Sequence, residues 1–68
     1  MGIALRVLLF PGGERPLDVE PGTTYGQVLA RLGLNPETVV VLREGLPVPD
    51  DEPAAPGEVH VIRVVSGG

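Results

Sequence analysis

Between Ile3 and Phe10 the chain is apolar at every second position and mixed at the others. Ile3, Leu5, Val7 and Leu9 fall on one parity; Ala4, Arg6, Leu8 and Phe10 fall on the other. Side chains of a strand point alternately to its two faces, so this pattern predicts a strand with one committed buried face. Pro11-Gly12-Gly13-Glu14 is a turn signal. Leu17 and Val19 then alternate with Asp18 and Glu20, which predicts a second, half-buried strand and an N-terminal hairpin. Pro16 has no amide hydrogen for a ladder, so that strand lies at a sheet edge or starts at the proline.

After Pro21-Gly22 the period changes. Thr24 reads as a helix N-cap and Gln27, three residues on, completes a capping box. Tyr25, Val28, Leu29 and Leu32 form one apolar stripe at helical spacing. Gly33 supplies the C-terminal cap, and Pro36 prevents continuation. Gly26, inside the first turn, costs up to ~1 kcal/mol of helix propensity, which suggests a neighbour that needs the space.

Val39 to Leu42 reads as a short strand. Arg43-Glu44-Gly45 turns the chain, and Leu46 to Val48 pairs back. Pro47, Pro49, Pro53 and Pro56, with Asp50, Asp51 and Glu52 among them, make a stiff surface loop. Val59 to Val65 is the last strand, and Ser66-Gly67-Gly68 follows it. The order is β-β-α-β-(β)-β. One amphipathic helix must bury its stripe on one face of the sheet, which predicts an α+β β-grasp with a mixed sheet of four or five strands. The division expected is a domain over 1–65 and a flexible tail over 66–68.

Composition narrows the functions such a domain could carry. A chain of 68 residues has little room for both a core and a deep cleft, which argues against a self-contained enzyme. It has no cysteine, so disulfides, thiol catalysis and cysteine–zinc sites are excluded. No apolar run approaches the roughly 20 residues of a membrane span, and no signal peptide is visible, so a cytoplasmic protein off the membrane is expected. The net charge of −4 opposes direct binding to nucleic acid. All five basic residues are arginines, which leaves Met1 with the one primary amine of the chain.

Most candidate chemistry fails on inspection. His60, the single histidine, has no second ligand for a metal and reads as structural. Asp50, Asp51 and Glu52 lack the alternation and central glycine of a calcium loop. Thr23 and Thr24 are explained by capping rather than by an anion. No bound cofactor, metal or catalytic residue is expected. The terminal Gly67-Gly68 pair remains. With Gly at 10 of 68 positions, such a pair arises by chance in about 2% of chains. It follows an extended strand without a linker. A carboxylate is a poor electrophile, but an acyl-adenylate reacts readily. An enzyme making one must thread the tail to ATP through a narrow channel, and residues without Cβ fit such a passage. Ser66 and Gly67 would thread, and Gly68 would be activated.

The element order, the Thr24-Tyr25 helix start, Leu32-Gly33-Leu34-Asn35-Pro36, Gly45-Leu46-Pro47-Val48-Pro49 and Val64-Val65-Ser66-Gly67-Gly68 resemble the ubiquitin-like sulfur carriers and small modifiers. That group includes ThiS, MoaD, TtuB and the small archaeal modifier proteins; the last two look closest. The resemblance implies a carrier rather than an enzyme. An E1-like enzyme would consume ATP to adenylate Gly68. A desulfurase or rhodanese-like sulfur donor would convert the adenylate to a thiocarboxylate. An acceptor enzyme, a tRNA thiolase or a cofactor synthase, would take the sulfur, with tRNA 2-thiouridine favoured. Conjugation of the same glycine to lysines of target proteins is a further implication. The alternatives are a ThiS- or MoaD-type role in thiamine or molybdopterin synthesis, and a non-covalent ubiquitin-like binding module. Two features depart from the group: the Pro-rich loop from Asp50 to Gly57, and the lack of lysine, which removes internal lysine acceptors and excludes lysine-linked chains of the protein on itself.

Strand parity also predicts a partner surface. A single helix covers one sheet face, so Leu8, Leu42, Ile62 and Val64, all of outer parity, are expected to form an exposed apolar docking patch beside the tail.

Overall fold

The computed structural model describes residues 2–10 and 12–64. The chain runs β1 (Ile3–Phe10), β2 (Gly13–Val19), α1 (Tyr25–Arg31), a 3₁₀ turn (Pro36–Thr38), β3 (Val39–Arg43), β4 (Leu46–Pro47) and β5 (Gly57–Arg63). The strands form one sheet in the order β2-β1-β5-β3-β4. β1 and β5 are parallel, and the other pairs are antiparallel. This is the β-grasp expected from the element order, in its five-stranded form.

Register fixes the two faces. Val7 pairs with Val59 across β1 and β5, Leu9 with Val61, and Val61 with Val41 of β3. Val7, Val41, Val59 and Val61 are buried and share the core with Tyr25, Val28 and Leu29 of α1. Each such side chain is worth roughly 1.5–3 kcal/mol when fully removed from water. The helix starts as its sequence predicts. Thr24 Oγ1 accepts from the Gln27 amide at 3.2 Å, and Gln27 Oε1 accepts from the Thr24 amide at 2.9 Å. It ends at Leu32, with Gly33 beyond it at φ 76°.

Several boundaries differ from the alternation pattern: β3 runs one residue further, to Arg43, and β4 stops at Pro47 rather than Val48. β2 begins at Gly13 and carries Pro16 in its interior, opposite Arg6. It is an edge strand, so an amide missing on the outer side removes no ladder bond. β5 starts two residues earlier than Val59 and stops at Arg63. Val65, expected to end it, lies outside the described residues.

The Pro-rich segment after β4 has a definite role. The carbonyls of Glu52 and Asp50 accept from the amides of Tyr25 (3.1 Å) and Gly26 (2.7 Å), and the Ala54 amide donates to Thr23 O (2.7 Å). The segment is therefore a strap that satisfies first-turn amides the helix cannot pair internally. It explains Gly26: a Cβ there would stand 3.0 Å from the Asp50 carbonyl oxygen. Arg43 ties down the far end of the strap. Its guanidinium donates to the Tyr25 hydroxyl (3.3 Å), to Ala55 O (3.0 Å) and to Pro56 O. The Tyr25 hydroxyl also accepts from the Ala55 amide at 3.3 Å, and Tyr25 is buried. Removing a charged donor from half-buried carbonyls costs about 1–3 kcal/mol. We expect Arg43→Ala to lower stability by that amount in urea denaturation, with the β-grasp retained by circular dichroism.

Candidate functional site: the outer sheet face and the exit of the chain

The face away from α1 carries the residues of opposite parity. One row crosses four strands: Leu8 pairs with His60, His60 with Leu42, and Leu42 with Pro47. A second row, one step nearer the end of β5, pairs Phe10 with Ile62 and Ile62 with Val40. Leu8, Leu42 and Ile62 are half-buried because sheet neighbours flank them, whereas Val64 is 51% exposed and Phe10 48%. Leu8, Leu42 and Ile62 thus share one face, and Val64 follows just beyond the end of β5.

Two residues of the same outer parity that were not assigned to the patch join them. His60, read as structural, sits between Leu8 and Leu42 at the centre of the row. The Phe10 ring meets it edge-on, with centroids 5.5 Å apart. Phe10 has the same parity as Leu8 and was legible on that ground; its place next to Ile62 required the parallel register of β1 and β5.

A charged border closes one side. Arg6 is paired with Glu14 of β2 and lies 3.9 Å from Glu58 of β5. Glu58 in turn stands 3.3 Å from Nε2 of His60. The bond and charge of Glu14, with a lesser contribution from Glu58, hold the Arg6 guanidinium above its ordinary pKa. All of these groups are well solvated, so each ion pair adds little to stability.

The exit of the chain adjoins the apolar rows. β1 and β5 are parallel, so Phe10 and Arg63 both point to the same end of the sheet, where β3 begins at Val39. The Val64 amide donates to Thr38 O at 2.9 Å, which fixes the point of departure. Ser66, Gly67 and Gly68 lie outside the described residues. The strap and its carboxylates feed β5 from the opposite end, at Gly57 beside Leu5. Among the described residues no group of His, Asp and Glu is arranged to hold a metal ion. No helix there is long and apolar enough to cross a membrane. An open notch beside α1 is lined by Glu20, Thr23, Gln27 and Arg31.

A five-stranded mixed sheet grasping one helix, with an apolar outer face at the exit of β5, defines a ubiquitin-like domain. A solved structure of Caldiarchaeum subterraneum ubiquitin is similar over 100% of both chains, with 25% identity and a TM-score of 0.74. The family model described as Small archaeal modifier protein 2 matches residues 3–65, and the chain belongs to that family. It is 44% identical to an Archaeoglobus fulgidus protein over all of both chains. It is 36% identical to small archaeal modifier protein 2 of Haloferax volcanii, over 74% of this chain and 76% of that one. It is 37% identical to the sulfur carrier protein TtuB of Thermus thermophilus, over 94% of this chain and all of that one.

Proposed function

We propose that the chain is an acyl carrier of the ubiquitin-like type: an E1-like enzyme adenylates Gly68, and the activated glycine is then thiocarboxylated to donate sulfur. The observation that carries this reading is the Gly67-Gly68 end on a β5 whose exit adjoins an apolar outer face. Membership of a small modifier family and similarity to a named sulfur carrier support it.

The chemistry asks little of the carrier itself. A Gly68 carboxylate oxygen attacks the α-phosphorus of ATP, and pyrophosphate leaves. The sulfur of a donor persulfide then attacks the acyl carbon, and AMP leaves. A thiol finally cleaves the sulfur–sulfur bond and releases the thiocarboxylate. Every catalytic group belongs to partners. The carrier supplies a terminus without Cβ atoms and a surface by which to be held. We assign Leu8, Leu42, Ile62 and Val64 to that surface, with Phe10 and His60 completing it. Uridine of tRNA, thiolated through an acceptor enzyme, is the sulfur acceptor we favour. Joining of Gly68 to lysines of target proteins is the second use of the same adenylate, and the modifier relatives support it.

Intact-mass measurement of the protein isolated from its own host tests the reading. The expected species has one C-terminal oxygen replaced by sulfur, and fragmentation should place the change on Gly68. A population unmodified at Gly68, with no adenylate formed when ATP and the host's activating enzyme are added, would overturn it.

A further inference from the structure

We infer that His60 is the polar contact by which the outer face is recognised: its Nδ1 accepts a hydrogen bond from a donor on the docking partner, and only the neutral imidazole can do so. This rests on the reading of the outer face as the surface an E1-like enzyme holds. It adds the chemistry of that enzyme's own surface, an N–H or O–H donor set among apolar side chains.

Glu58 selects the nitrogen that is left over. Its Oε1 stands 3.3 Å from Nε2 of His60. An ionised carboxylate accepts hydrogen bonds and donates none, so in the neutral ring Nε2 carries the proton and Nδ1 keeps a lone pair. Among the described residues no donor meets Nδ1. The ring is held where a partner can reach it. Leu8 and Leu42 flank it on the neighbouring strands, Phe10 meets it edge-on, and 39% of the side chain is exposed. Water satisfies Nδ1 in the free carrier. An apolar surface closing over the row expels that water. An acceptor covered and left without a donor weakens binding by roughly 5- to 10²-fold. A partner that grips Leu8, Leu42 and Ile62 must therefore bring a donor to the middle of the row.

Protonation removes the acceptor. Both nitrogens of an imidazolium donate, so the charged ring would oppose the partner's donor with a donor of its own. It would also bury a charge within an apolar contact. The charged groups facing the ring are Glu58 on its own strand and, beyond Glu58, Arg6 of β1 with Glu14 of β2. Of these only Arg6 can donate, and its guanidinium is engaged with the two carboxylates. β3 presents Val40 and Leu42 to this face, and Pro47 of β4 lies next to Leu42. Nothing on these strands replaces the lost acceptor. Histidine side chains ordinarily change charge between about pH 5 and pH 8. Docking therefore weakens as the pH is lowered through that range, and the sign is set by the neutral form being the one that binds.

The test measures binding of the full chain to the host's activating enzyme by calorimetry, without ATP, at about pH 8 and about pH 5.5. No adenylation is read, so a failure at Gly68 would sink the proposed function and leave this measurement standing. Affinity should fall by about 10-fold or more on acidification. His60→Asn offers a side-chain oxygen near the place of Nδ1 and does not titrate. It should bind within a few-fold of the unsubstituted chain at the higher pH and lose the acid response, which separates His60 from titrating groups of the enzyme. His60→Phe keeps a ring between Leu8 and Leu42 but has no acceptor, and it should bind about 10-fold or more weakly at both pH values. His60→Phe binding as tightly as the unsubstituted chain, an undiminished acid response in His60→Asn, or no binding at either pH would overturn the inference. So would nitrogen NMR of the free carrier at the higher pH showing the proton on Nδ1, a result that needs no partner.

Discussion

Deleting Gly68 is expected to abolish adenylation while leaving the domain folded. Removing one residue draws the carboxylate back by about 3.4 Å, and a displacement of even 1 Å at a reacting centre can cost ~10²-fold. We therefore expect activation by the E1-like enzyme to fall by at least ~10²-fold, read as ATP–pyrophosphate exchange. Gly68→Val should behave similarly, because a β-branched side chain restricts the backbone freedom a threaded terminus needs. Stability should not move. The C-terminal contact that anchors β5 is the Val64 amide on Thr38 O, and it is retained in both variants. An equal Tm with exchange at the normal rate would show that the terminal carboxylate is not the reacting group. The same result would favour the alternative of a non-covalent binding module.

Much of this architecture could be read from alternation and capping. Ile3, Leu5, Val7 and Leu9 specify a buried face because a one-residue slip would expose all four together. Thr24 and Gln27 specify the helix start because their side chains and amides complete one another within four residues. These are local rules, and they held. What escaped was non-local. Arg43 reads as a turn residue until the strap is folded back over α1; nothing near it in sequence announces the Ala55 and Pro56 carbonyls. The strap reads as a loop because its hydrogen bonds go to a helix more than twenty residues away. Pro16 inside β2 is permitted only because β2 has one neighbour, a fact of sheet order that its own sequence does not hold. The outer face divides in the same way. Parity placed Leu8, Leu42 and Ile62 on one face. The centrality of His60 and the approach of Phe10 come from register between strands about fifty residues apart in the chain.

Leu42→Arg and Ile62→Asp are expected to remain folded and to lose most of their activation. Both side chains face away from α1, so neither change places a charge in the core. The half-burial of each suggests a stability loss of about 1 kcal/mol, within the range usual for single substitutions. Val61→Asp, one residue away but on the buried face, should instead unfold the domain, because an unpaired carboxylate would sit among Val7, Val41 and Val59. For a docking surface, central apolar residues carry most of the binding energy, commonly 2–4 kcal/mol each. Truncation or charge at Leu42 or Ile62 should then raise the KM for the carrier by roughly 30- to 10³-fold in ATP–pyrophosphate exchange, with kcat less affected. Arg6→Ala, on the charged border, should change KM by only a few-fold and more at low salt, as exposed charges do. If Leu42→Arg and Ile62→Asp were both adenylated with the KM of the unsubstituted chain, the activating enzyme would be gripping some other surface. The apolar rows would then have to be assigned to a later partner in sulfur delivery.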